Sequence, residues 1–298
     1  MSPTYQHNSP SKDFIRNKWV EYITAVLTRK GKDLEIIDLP AEEMQDIHLF
    51  VNRGLLSWEQ TETGAFRFTK GRVVCFEKNQ NIEMALSQKF VDLKVYPEIA
   101  SHLQVNYHKI KTGAQAIFPV DTINLDFDGN ISKNRTGISQ LLKLIFEFQG
   151  QHGADFCLFL TFPNTENEDD SEFKDQLKGI LSSNLIDEYT QDFKNGFTAK
   201  YKTIESMDYE PFLIVSISKM IIKESSSNFK ILTNEFFTYG EDRRMRMVSV
   251  LFDFKYIGAA AAGHGQYFTE VMKALEPINE VSTEDPGAEV SAENPSAA

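Results

Sequence analysis

Apolar positions along the chain repeat with a period that switches between helix and strand. SKDFIRNKWVEYITAVLTRKG puts Ile15, Trp19, Tyr22, Ile23, Val26 and Leu27 on one helical face, with Ser11 as a candidate N-cap and Gly31 as the stop. DLEIIDLP then reads as a short buried strand, and AEEMQDIHLFVNRG as a helix through Met44, Ile47, His48 and Val51 that closes at Gly54. The beat repeats. FTKGRVVCFEKN is a second strand ending at Glu77, with a helical pattern through Ile82, Met84 and Ala85 after it; FVDLKVYPE is a third strand. AIFPVDTINLDFDG is the fourth, and TGISQLLKLIFEFQG a helix with Gly150 past its end. DFCLFLTF, the fifth strand, is apolar on both faces. DSEFKDQLKGILSS and PFLIVSISKMIIK read as helices, and NFKILTNEFFTYGEDRRMRMVSVLFDFKYI as two strands around a turn.

Near-continuous apolar strands alternating with helices require a parallel sheet covered on both faces, because a sheet open on one side would alternate apolar and polar. The expected class is α/β, a Rossmann-like, mostly parallel, doubly wound sheet ending in an antiparallel hairpin. The fourth strand should lie beside both the first and the fifth. The expected organisation is a disordered start over 1–11, an N-terminal helix over 12–32, the main domain over 33–275 and a disordered acidic tail over 276–298.

Charge alters this picture in two places. From Glu276 onward six acids and no Lys or Arg sit among Pro, Ser and Ala, which predicts disorder; without them the formal charge of -12 falls to about -6. That balance argues against broad nucleic-acid affinity, which needs a basic face. A local basic patch around EDRRMRM, with Arg244 and Arg246 on one strand face, is where nucleic acid could still be met, a solvated strand face being the plainer reading. The start MSPTYQHNSPSKDF has no apolar signal-peptide core, and no run of about 18 apolar residues appears anywhere, so a cytoplasmic chain that does not meet the membrane is expected. Cys75 and Cys157, each within an apolar run, read as buried structural thiols; no Cys/His spacing suggests zinc, and His48 and His102 lie in helical patterns. GAAAAGHG (Gly258, Gly263, Gly265) lacks the spacing of a phosphate loop, and no G-x-S-x-G elbow occurs.

Five strand-helix units closing on a hairpin, with an acid after the second strand (Glu77 in VVCFEKN) and INLDFDG ending the fourth, resemble the class I S-adenosylmethionine-dependent methyltransferases over residues 33 to 257. The resemblance implies S-adenosylmethionine as cofactor. It implies that Glu77 holds the ribose hydroxyls, that Tyr96 and Glu98 frame the adenine, and that Asp38 lies at the end of the first strand among the cofactor-binding residues. Asn124, Asp126 and Asp128 would then line the methionine end and orient the acceptor, whose identity the sequence does not give. One departure is plain: IIDLPAEEMQDI has no glycine where the family's first turn is glycine-rich.

Two other expectations stand beside this one. Acids at the C-terminal ends of parallel strands also cap helices or bind water, which describes a methyltransferase-like binding or regulatory module without methyl transfer. LDFDGN followed by CLFLT also resembles haloacid dehalogenase-like Mg2+-dependent phosphatases, with Asp126 as nucleophile, Asp128 as general acid/base and Thr161 as phosphate ligand. In that family the first aspartate lies on the first strand, whereas here about three strand-helix units precede it.

Overall fold

The computed structural model describes residues 9–40, 43–127, 137–164, 171–184, 191–240, 246–258, 270, 273–274 and 279–281. Helix α1 (Pro10–Lys30) leads into β1 (Glu35–Asp38) and α2 (Gln45–Asn52). A small hairpin, β2 (Ser57–Gln60) and β3 (Phe66–Lys70), precedes β4 (Arg72–Phe76), α3 (Gln80–Lys89), β5 (Lys94–Tyr96), α4 (Ile99–Val105) and α5 (Tyr107–Lys111). Then come β6 (Thr122–Asp126), α6 (Gly137–His152), β7 (Phe156–Pro163), α7 (Ser171–Asn184), α8 (Gln191–Tyr201) and α9 (Tyr209–Ser225). The hairpin of β8 (Phe229–Tyr239) and β9 (Met247–Tyr256) follows, with a short β10 (Asn279–Glu280).

Among the described residues the main sheet has eight strands in the order β10-β8-β9-β7-β6-β1-β4-β5. The five strands from β5 to β7 are mutually parallel, and β9 and β8 close the sheet antiparallel. As expected, β6 is central, flanked by β1 and β7. The chain runs outward from β1 through β4 to β5, then returns to β6 and runs out the other way, which makes the C-terminal ends of β1 and β6 a switch point. Every residue of β7 is buried, as a strand covered on both faces requires. Cys75 and Cys157 are unbonded and buried on β4 and β7, three strand spacings or about 14 Å apart, beyond disulfide reach.

Several boundaries differ from the sequence expectation. The stretch read as one second strand is two, because Gly71 at φ +83 turns the chain between β3 and β4; a Cβ there would lie 2.7 Å from the Leu34 carbonyl oxygen. α1 is capped by Ser9, whose side chain accepts from the Lys12 N–H, and not by Ser11. Gly150 lies inside α6, where Asn228 and Phe229 pack close against it, and Gly153 follows the helix end. Disorder is expected from 276 onward, yet Asn279 and Glu280 pair parallel with Phe237 and Thr238 at the sheet edge. Two residues joined by backbone hydrogen bonds leave no hydrophobic period to read. Among the described residues no helix is long and apolar enough to cross a membrane.

α1 is part of the core. Ile15, Trp19, Ile23 and Val26 are fully buried, and the Trp19 ring stacks on Phe159 of β7 with centroids 5.8 Å apart. The helix runs antiparallel to the central strands, so its first turn reaches their C-terminal rim and its last turn their N-terminal rim. At the latter, Lys30 binds the fully buried Asp121 carboxylate, which also accepts the Glu35 N–H at 2.8 Å.

Candidate functional site at the sheet switch point

Parallel strands point their C-terminal ends the same way, so Asp38 (end of β1), Asp126 (end of β6) and Glu77 (directly after β4) share one rim. Asp38 and Asn124 are register partners and fully buried; the Asn124 Nδ2 donates to Asp38 Oδ1 at 2.8 Å and to Asp46 Oδ2 at 3.4 Å. Asp46 sits in the first turn of α2, where the helix dipole favours an acid.

Two cations from α1 complete the cluster. The Lys12 ammonium donates to Asp126 Oδ2, and Arg16 Nε donates to Asp46 Oδ1 at 2.6 Å. Lys12 also lies 5.0 Å from the centre of the Trp19 ring. Burial works against its charge, but Asp126, Tyr239 and Asp46 outweigh it and hold its pKa above the ordinary lysine range. Burial raises the Tyr239 hydroxyl to about 12 and, together with the Asp46 charge, pushes Asp38 well above the carboxylate range.

Raised Asp38 has a pH consequence. The folded state binds its proton more tightly than the unfolded chain, so the stability this supplies is fully present below the unfolded value near 3.8 and is lost as pH rises through the folded value. Asp38→Asn keeps the acceptor for Asn124 without that titration. We expect it to raise the urea midpoint relative to wild type at pH 7 and not at pH 3.5; an equal shift at both would show that titration is not the cause.

Glu77 and the remaining sequence-predicted residues also have contacts of their own. Glu77 Oε1 accepts the Asn79 N–H at 2.7 Å at the entry to α3. Glu98 is the cap of α4, accepting the Ala100 and Ser101 N–H groups at 2.9 and 2.8 Å, and Tyr96 packs its ring on His102 and Phe76 with centroids 4.5 and 5.6 Å apart. Both are engaged with their own strand-helix unit. Asp128, Arg244, Gly263 and Gly265 lie outside the described residues; Arg246 pairs with Glu210 at 3.0 Å. The turn after β1 carries a buried Pro40 and a buried Met44 at φ 50, a left-handed conformation that costs a non-glycine residue about 1 kcal/mol.

Among the described residues the phosphatase arrangement is not met. The Asp126 strand is preceded by β1, β4 and β5 of the same sheet, Asp126 is tied to Lys12, and the buried Thr161 hydroxyl bonds Ser249 Oγ at 2.9 Å instead of facing the rim. A four-residue match to a motif carries no such context.

Lys12, Arg16, Asp46 and Tyr239 were not among the expected site residues. Lys12 and Arg16 extend the Trp19–Ile23 stripe by helical spacing, so the period points them inward, whereas charge taken alone predicts exposure.

No family model matches the chain, and no curated protein matches it significantly. Among solved structures, a TehB-like S-adenosylmethionine-dependent methyltransferase from Corynebacterium glutamicum is 7% identical, with 83% of this chain and 98% of that one covered at a TM-score of 0.34. A protein of Thermoplasma acidophilum is 11% identical, with 79% and 83% covered at a TM-score of 0.32. Overlap this loose carries no argument. Strand order, register and the switch point define the class of fold: an α/β, Rossmann-like domain whose mostly parallel sheet ends in an antiparallel pair.

Proposed function

We propose that the domain transfers a methyl group from S-adenosylmethionine, with the cofactor taken along the rim of Asp38, Asn124 and Glu77. One observation carries this reading. Asp38 Oδ2 and Asn124 Oδ1 are buried without a hydrogen-bond partner among the described residues. An unmet buried polar atom costs about 1–3 kcal/mol, so a pair of them at a switch point marks a place for a polar ligand. The neutral form of Asp38, which its burial favours, would offer a donor and Asn124 an acceptor, matching the carboxylate and ammonium of a methionine end.

Glu77, on the same rim directly after β4, would accept the ribose hydroxyls. Pro40, directly after β1, has no N–H to offer, so the proposed ligand contacts are carried by side chains. When bound, the cofactor supplies a methyl group on a sulfonium. Asp126 would orient the acceptor toward that methyl group, and the acceptor's proton would leave to water.

Calorimetric titration with S-adenosylmethionine and S-adenosylhomocysteine tests this. Binding is expected, and Glu77→Gln should weaken it by about 1–3 kcal/mol, the range for a hydrogen bond to a charged group. A non-catalytic module of the same fold is the second reading, favoured by Lys12 and Arg16 neutralising the rim acids. Absence of binding in both the wild type and a Lys12→Met variant would leave that reading in place.

A further inference from the structure

We propose that Lys12 is a built-in stand-in for the acceptor: its ammonium sits where the site holds an amine-bearing substrate of the lysine side-chain class, so α1 keeps the site shut until its first turn lets go. The inference rests on the methyl-transfer reading above and names the substrate class of that same site.

A lysine in the first turn of a helix is disfavoured by the positive end of the dipole, and burying its ammonium is costly unless every face of it is matched. Packing alone therefore gives no reason for Lys12 to point inward. Its surroundings do. Asp126 gives a carboxylate, the buried Tyr239 hydroxyl faces it, Asp46 adds a second negative charge, and the Trp19 ring lies 5.0 Å away. A carboxylate, a phenol and an indole face are what recognition of an alkylammonium requires. Asp38 Oδ2 and Asn124 Oδ1, buried and unpartnered among the described residues, lie beside this receptor and show that the cluster is not closed on itself.

Emptying the receptor does not require removing the helix. Lys12 is the third residue of α1, held locally by the Ser9 cap, whereas Trp19 is two turns further in and stacked on Phe159. Fraying of a terminal turn is among the least costly openings of a folded protein. It withdraws the ammonium and leaves Asp126, Tyr239 and Trp19 in place. An amine in this receptor would first give up one proton to water to free its lone pair for a methyl group, a requirement that a substrate amine and Lys12 share.

Binding of Nα-acetyl-lysine amide, with Nα-acetyl-norleucine amide as the uncharged control, tests the proposal on the full chain. Lys12→Met should bind the lysine amide about tenfold or more tightly than wild type, because the tethered competitor is gone, and adding Asp126→Asn should remove the gain. Equal binding by wild type and Lys12→Met would overturn it. Should Lys12→Met fail to fold, hydrogen exchange on the wild type decides. Lysine amide well above the millimolar effective concentration of a tethered group should accelerate exchange of the amides at 12 to 16, while norleucine amide does not; no acceleration would overturn the proposal. Amine binding without S-adenosylmethionine binding keeps the ammonium receptor and removes methyl transfer. Cofactor binding without the Lys12→Met gain removes this inference alone.

Discussion

Trp19→Ala is expected to destabilise the protein by about 3 to 5 kcal/mol, the range for truncating a fully buried large aromatic. The Trp19 ring is wholly enclosed, stacks on Phe159 and sits beneath the Lys12 ammonium, so truncation removes dispersion contacts, leaves a cavity and strips one wall from the ammonium site. Urea denaturation followed by far-ultraviolet circular dichroism measures it. A loss under about 1 kcal/mol would mean that α1 is an appendage and not part of the core.

Asp121→Asn should cost about 3 kcal/mol, at the lower end of the range for removing one partner of a buried ion pair. The Asp121 carboxylate is completely enclosed, binds Lys30, lies 3.6 Å from Lys32 and accepts the Glu35 N–H. Asparagine keeps the shape and one acceptor but leaves Lys30 without its counter-charge, whereas Lys32 keeps Glu35 at 3.3 Å. Lys30 retains some exposure, and water reaching it lowers the penalty. The measurement is the denaturant midpoint at pH 7, with Lys32→Met as a companion; a loss as large in the companion would place the effect on Lys32 and not on the enclosed Lys30 pair.

The sheet was legible because its strands are covered on both faces: runs such as DFCLFLTF have no polar alternation, and that points to parallel order before any coordinates. The hairpin β2–β3 and the five-residue α5 escaped because brief elements offer too few turns of periodicity, and Gly71 hides a chain reversal inside one apolar stretch. At the site, Asp38, Asn124 and Asp126 could be read as strand ends at a shared rim. Glu98 could not be told from a ligand-binding acid, since a helix cap and a cofactor contact use the same carboxylate at the same kind of position. Lys12 and Arg16 were hidden for a different reason: charge predicts exposure, and only partners distant in sequence, Asp126 and Asp46, make their burial tolerable.

α1 is pinned at both ends. Lys12 holds Asp126 at one end of β6 and Lys30 holds Asp121 at the other, and the two lysines are about five helical turns apart, which brings them back to the same side of the helix. The helix thus works as a ruler laid along the central strand. Adding or deleting one residue between the anchors would rotate one lysine by about 100° relative to the other, so both pairs could not form together. Change of length in this segment is therefore far more constrained than change of identity at its outward positions, and a whole number of turns is the spacing this architecture tolerates.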